Sequence, residues 1–163
     1  MHDLDIFTTG GTIDKVYFDA LSEFEVGGSA LGQILEEANV SLSFAIHELM
    51  RKDSLELNED DRDVIALAVA AADAPAVLVT HGTDTMADTA RHLQTRATDK
   101  TVVFTGAMQP ARLRLTDAIF NVGFAIAAAC SLPYGVYLAM NGRIFDPAVV
   151  RKDRKAGCFV AMT

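Results

Sequence analysis

Three short runs rich in apolar and β-branched residues, 4–8, 76–80 and 101–105, each break at a cluster of threonine and glycine. The breaks read Thr8-Thr9-Gly10-Gly11-Thr12, Thr80-His81-Gly82-Thr83-Asp84-Thr85 and Thr105-Gly106-Ala107. Runs this apolar suit strands covered on both faces, which is the condition of a parallel sheet. Strands of a parallel sheet all point one way, so the three clusters belong on one edge of it. That edge, outside the carboxyl ends of the strands, is where such sheets bind ligands.

Helical patterns separate the strands. Residues 30–39 place Leu31, Ile34, Leu35 and Ala38 on one stripe. A strand is expected over 44–50. Asn58 is positioned as an N-cap, with Glu59, Asp60 and Asp61 in the first turn of a helix running to about Ala72. That helix is expected to bury Val64, Ile65, Leu67, Ala68 and Ala71. A helix through Met86, Ala90 and Leu93 follows the second cluster. Another spans 117–130, capped by Thr116 or Asp117. A strand over 135–140 ends in Asn141-Gly142, a type I′ turn signal. This alternation predicts one α/β domain over residues 1–163. It would have three layers, a mostly parallel sheet with helices on both faces, Rossmann-like in arrangement.

Composition narrows the function. Half of the 163 residues are hydrophobic, which excludes a disordered chain. Fourteen basic against twenty-two acidic side chains give a net charge of −8. Nucleic acid and anionic membrane surfaces are therefore poor partners, since phosphate binding needs clustered Lys and Arg. The most apolar stretch, 118–130, is shorter than the roughly 20 residues that span a bilayer. The start Met1-His2-Asp3-Leu4-Asp5 lacks the basic and apolar regions of a signal peptide, so a cytoplasmic setting is expected. Cys130 and Cys158, the two cysteines, are expected to be buried thiols.

Few residues can carry chemistry. Thr12 follows two glycines that allow backbone to approach a ligand closely. It is either a capping residue in a tight turn or a nucleophile, and as a nucleophile it needs a group to take its proton. Thr83 and Asp84 open a helix, so each is a natural cap. A carboxylate at Asp84 could also bind a substrate ammonium or hold a lysine in place. The candidate lysine is Lys152, in the charged segment 150–155. It is either solvated or partly buried and able to accept a proton from a threonine hydroxyl. Tyr17 is either an ordinary amphipathic aromatic or a hydroxyl relay. P-loop, dinucleotide and nucleophile-elbow signatures are absent from the sequence, as is metal-ligand spacing among its four histidines.

Thr9-Gly10-Gly11-Thr12-Ile13 and His81-Gly82-Thr83-Asp84-Thr85-Met86, about seventy residues apart, together resemble the two signatures of bacterial-type L-asparaginases. Gly106-Ala107-Met108-Gln109-Pro110 is similar to a third family segment, with Gln109 where arginine is usual. Asp117-Ala118-Ile119-Phe120-Asn121 also follows the pattern. The resemblance implies roles. Thr12 matches the primary nucleophile and Thr83 the second catalytic threonine. Asp84 matches the carboxylate that binds the α-ammonium and pairs with the catalytic lysine, which is Lys152. Ser54 matches a contact to the substrate α-carboxylate, and Gly11 and Gly82 would contribute backbone contacts. Tyr17 matches the tyrosine of a mobile loop, with Phe24 as the alternative occupant of that position.

The implied activity is hydrolysis of L-asparagine to L-aspartate and ammonia through an acyl-enzyme, with no metal or organic cofactor. The alternatives are a glutaminase, an amidotransferase subunit, or a non-catalytic module that binds an amino acid. Usual family members add a C-terminal domain of over a hundred residues that reaches into a neighbour's site. This sequence matches the first domain, so a short single-domain member is expected. Its substrate contacts would be weaker or would come from another subunit, in a homo-oligomer.

Overall fold

The computed structural model describes residues 2–96 and 99–162. Five parallel strands and one antiparallel strand form its main sheet, in the order β4-β1-β5-β6-β7-β8. These are β1 (Leu4–Gly10), β4 (Phe44–Lys52), β5 (Ala76–Thr80), β6 (Thr101–Thr105), β7 (Gly135–Met140) and β8 (Arg143–Phe145). Every residue of β1, β5 and β6 is buried, as expected of strands sandwiched between helices. Asn141 and Gly142 both take positive φ, 55° and 73°, and close the β7–β8 hairpin as the Asn-Gly pair foretold.

The period of two divides the strand side chains between two cores. Phe7, Val79, Phe104 and Leu138 face α2 (Glu59–Ala71) and α3 (Met86–Gln94). Ile6, Leu78, Val103 and Ala139 face α1 (Leu31–Glu37) and α4 (Ala118–Ser131). The three-layer arrangement is thus present, with two helices on each face.

Details differ from expectation. Helix α2 buries Ile65, Ala66 and Val69, while Val64, Leu67 and Ala71 are exposed and Ala68 is half-buried. Apolar residues lie on two adjoining stripes of this alanine-rich helix, and only one stripe meets the sheet. Cys130, in the last turn of α4, is exposed and Cys158, at the start of β10, is half-buried, so neither is the buried thiol expected. At α4 the Thr116 hydroxyl accepts from the Ala118 N–H. The Asp117 carboxylate instead accepts from the N–H groups of Met108 and Gln109 and from Asn121, fixing the loop after β6. Among the described residues no helix is long and apolar enough to cross a membrane.

Two antiparallel ribbons had no counterpart in the pattern reading. One pairs β2 (Lys15–Phe18) with β3 (Glu23–Val26), and the other pairs β9 (Val150–Asp153) with β10 (Cys158–Ala161). The second ribbon is anchored by buried Val150 and Phe159. Arg91 strengthens the anchor by donating to the carbonyls of Pro147 and Val150.

Candidate active site

From β1 the chain moves to β4 on one side, and from β5 it moves to β6 on the other. Opposite exits leave a crevice between adjacent strand ends, the switch point at which doubly wound sheets hold ligands. The loops after β1 and β5 meet there. Gly11 has φ +87°, and a Cβ on it would lie 2.5 Å from both Cα and N of Gly82. A Cβ on Gly82 would lie 2.6 Å from Cβ of Ser54. Glycine is required at Gly11 because backbone packs on backbone, and at Gly82 because the Ser54 side chain and N–H press against it. The loop after β6 joins the cluster where Gly106 presses on the His81 carbonyl.

These contacts place the sequence candidates. Thr12 starts a single 3-10 turn, Thr12–Asp14, directly after Gly11, and is half-buried. Thr83 follows Gly82 and is buried. Ser54 is buried beneath Gly82 and accepts through its carbonyl from the Thr85 hydroxyl at 2.8 Å. Lys152 comes in from β9. Its Nζ donates to Thr83 Oγ1 at 2.7 Å and to Asp84 Oδ1 at 3.1 Å. The charged segment around Lys152 is therefore not simply solvated, since this lysine turns into the crevice. Hydroxyl, carboxylate and ammonium form one contiguous unit built from two elements far apart in sequence.

Tyr17 lies elsewhere. It sits on the β2–β3 hairpin, 50% exposed, and its hydroxyl bonds to no described residue. Its ring packs edge-on against Phe24, its direct cross-strand partner, with centroids 5.3 Å apart. The two residues that compete for the loop-tyrosine position thus stand side by side on one hairpin face.

Four features were not foreseen. Arg154 Nε donates to the same Asp84 Oδ1 at 3.1 Å. Arg154 opens the turn that follows β9, only two residues after Lys152, and so reaches the same carboxylate. Lys15 Nζ pairs with Asp53 Oδ2 at 2.9 Å, tying the hairpin to the turn that holds Ser54. The Lys15 contact, together with the field of Lys152, holds the Asp53 carboxyl below its usual range against the opposing cost of burial.

His81, fully buried, braces the second loop from within. Its Nδ1 lies 2.7 Å from the Gly82 carbonyl, which can only accept, so Nδ1 carries the proton. Nε2 then accepts from the Thr89 hydroxyl at 2.9 Å. Burial of this ring pushes its pKa down to about 4 and keeps it neutral. Beneath the first loop, Asp14 is buried and accepts from the Ala30 N–H at 2.8 Å. Desolvation raises its pKa to about 6.

Glycine-threonine loops that meet at the switch point of a mostly parallel sheet place the protein among the three-layer α/β domains that hold ligands at the strand ends. Comparison with known proteins makes the class specific. Residues 3–159 match the family model described as "Asparaginase, N-terminal", and the chain belongs to the asparaginase family through that domain. It is 31% identical over 164 residues to the glutaminase-asparaginase of Acinetobacter glutaminasificans, covering 90% of this chain and 48% of that protein. It is 29% identical over 160 residues to a probable periplasmic L-asparaginase of Haemophilus influenzae, covering 92% and 46%. The thermostable L-asparaginase from Thermococcus kodakarensis superposes with a TM-score of 0.86 at 26% identity, over 97% of this chain and 50% of that one. The chain spans about half the length of the curated relatives it matches.

Proposed function

We propose that this domain hydrolyses the side-chain amide of L-asparagine, giving L-aspartate and ammonia. The observation that carries the reading is the Lys152–Thr83–Asp84 unit, set where the Gly11 and Gly82 loops touch. In this reading Thr12 Oγ attacks the amide carbon, and its proton passes through the Thr83 hydroxyl towards the departing nitrogen, assisted by the Lys152 ammonium that Asp84 orients. The C–N bond breaks, the nitrogen leaves with that proton as ammonia, and an ester remains on Thr12. Water cleaves the ester, releases aspartate and restores the hydroxyl. Backbone N–H groups beside Gly11 and Gly82 stabilise the oxyanion.

Asp84 uses its remaining oxygen for the substrate α-ammonium, and Ser54 faces the α-carboxylate. Tyr17 assists Thr12 by folding over from the hairpin. No metal or organic cofactor takes part.

Glutamine is the second substrate to consider, because the Acinetobacter relative is named a glutaminase-asparaginase. Relative turnover of the two amides separates these readings. Leu113, Leu115, Ile119 and Phe120 are all exposed within one short stretch of chain, and burying them would favour self-association, so a homo-oligomer is proposed, to be checked by light scattering. Two unpaired thiols suit a cytoplasmic setting, which cell fractionation tests.

The decisive experiment is ammonia release from L-asparagine. Thr12→Ala is expected to abolish it, with a loss of about a thousandfold or more. Aspartate binding by the wild type without any ammonia release overturns the catalytic reading in favour of an amino-acid-binding module.

A further inference from the structure

Asp84 carries more positive charge than a lysine pair requires. Lys152 Nζ and Arg154 Nε both bond to its Oδ1, each at 3.1 Å. Its Oδ2 accepts no hydrogen bond from any described residue. Lysine and carboxylate alone would be neutral together, and the guanidinium makes the group net positive. The adjoining Asp53 does not restore the balance, because Lys15 already neutralises it. An incoming ammonium at Oδ2 would therefore be met by two cations on the same carboxylate. An acid lacking that ammonium would meet no such opposition.

We propose that Arg154 is a specificity-determining residue that lowers the preference for ligands bearing an α-ammonium. It thereby opens the site to ω-amides of simple dicarboxylic acids, of which succinamate is the simplest four-carbon case. The proposal rests on the reading of Asp84 as the ammonium contact. Arg154 acts through charge, not by filling the site: its side chain is 70% exposed and leaves Oδ2 uncovered. Exposure also limits its strength, because solvent screens the pair. The expected effect is accordingly modest and confined to ligand choice. It sits at the start of the turn between β9 and β10, where the Asp153 side chain accepts from the N–H groups of Lys155 and Ala156, so the backbone does not depend on it.

The test is calorimetric binding of aspartate and succinate, two four-carbon dicarboxylates that differ by the ammonium, to the wild type and to Arg154→Ala. The variant should raise the preference for aspartate over succinate by roughly two- to fivefold, and added salt should shrink that gain. Arg151→Ala serves as the control. It removes an exposed cation from the neighbouring position on β9 and should leave the preference as it was. An unchanged preference in Arg154→Ala, an equal change in Arg151→Ala, or binding of neither ligand to any form overturns the proposal.

Ammonia release, measured alongside, keeps the two claims apart. Turnover with an unaltered preference sinks the role of Arg154 and leaves the amidase reading intact. The expected shift in preference without turnover does the reverse.

Discussion

The loop cluster at the switch point and the β2–β3 hairpin are joined through the turn at Thr12–Asp14 but are built on opposite terms. In the cluster, backbone touches backbone, Thr83 and Ser54 are buried, and His81 braces the Gly82 carbonyl from inside. In the hairpin, Tyr17, Phe18, Leu21 and Phe24 are all roughly half exposed. Its named ties to the site are the Lys15–Asp53 pair and the buried Asp14 at its root. The cluster supplies groups that must be fixed before a reaction starts. The hairpin presents half-exposed apolar area, which in the proposed reaction meets the bound substrate. In the proposed reaction a substitution in the cluster should therefore act on the chemical step directly, and one in the hairpin through the groups the hairpin brings to the bound substrate.

Lys152→Met should break the cluster's function with the largest effect. The methionine keeps much of the aliphatic stem, and Asp84 retains Arg154, so no buried charge is orphaned. Ammonia release should fall by about 10²–10⁴-fold. The melting temperature should move by less than about 4 °C. Rates and thermal melts on the same preparation decide the matter. A collapse in melting temperature equal to the loss of rate would mean that Lys152 holds the ribbon and not the reaction.

Tyr17→Phe sharpens the contrast from the hairpin side. The ring and its contact with Phe24 survive, and only a hydroxyl bonded to no described residue is lost. The melt should not change. If that hydroxyl reaches the nucleophile on closure, kcat should drop by about tenfold. The double variant Tyr17→Phe with Phe24→Tyr asks whether the cross-strand neighbour can supply the hydroxyl. Recovery of kcat in the double variant would assign the role to the hairpin face and not to position 17.

Elements visible in the sequence were those with strong, one-dimensional signals. Buried strands such as Ala76–Thr80 and the Asn58 cap are written in local residue choice. So is the meeting of the Thr12 and Thr83 loops, once three strand ends are assigned to one sheet edge. Residues that depend on where a distant segment lands were harder to read. The hairpin strands are four residues each and Lys15–Phe18 does not alternate, so the period of two in Glu23–Val26 stands alone. Arg154 was passed over because a run of five charges among six residues looks solvated until the ribbon brings Lys152 and Arg154 to Asp84. Helix α2 offered two apolar stripes, and only docking chooses between them. His81 was weighed as part of a loop, although its contribution is made from within the core through Thr89.

Acid titration compares the two regions in one measurement. His81 belongs to the cluster, and burial holds its pKa near 4, below the ordinary 6.5. Between those values the unfolded chain takes up a proton that the native state refuses, so stability falls as pH drops from about 6.5 to 4. Asp14 belongs to the hairpin root, and burial raises its pKa to about 6 from 3.8. Here the native state holds the extra proton, so stability falls as pH rises from 3.8 to about 6. The two slopes oppose each other between pH 4 and 6. The carboxylates held low, Asp3, Asp5, Asp53 and Asp61, contribute mainly below that window. Asp14→Asn keeps an acceptor for the Ala30 N–H and removes one of the opposing slopes. The variant should then lose stability toward pH 4 more steeply than the wild type, by about 1 kcal/mol per pH unit. Urea midpoints at pH 6, 5 and 4 measure this directly. Parallel curves would mean that Asp14 ionises as an ordinary surface acid, and that the hairpin root is as open to water as its tip.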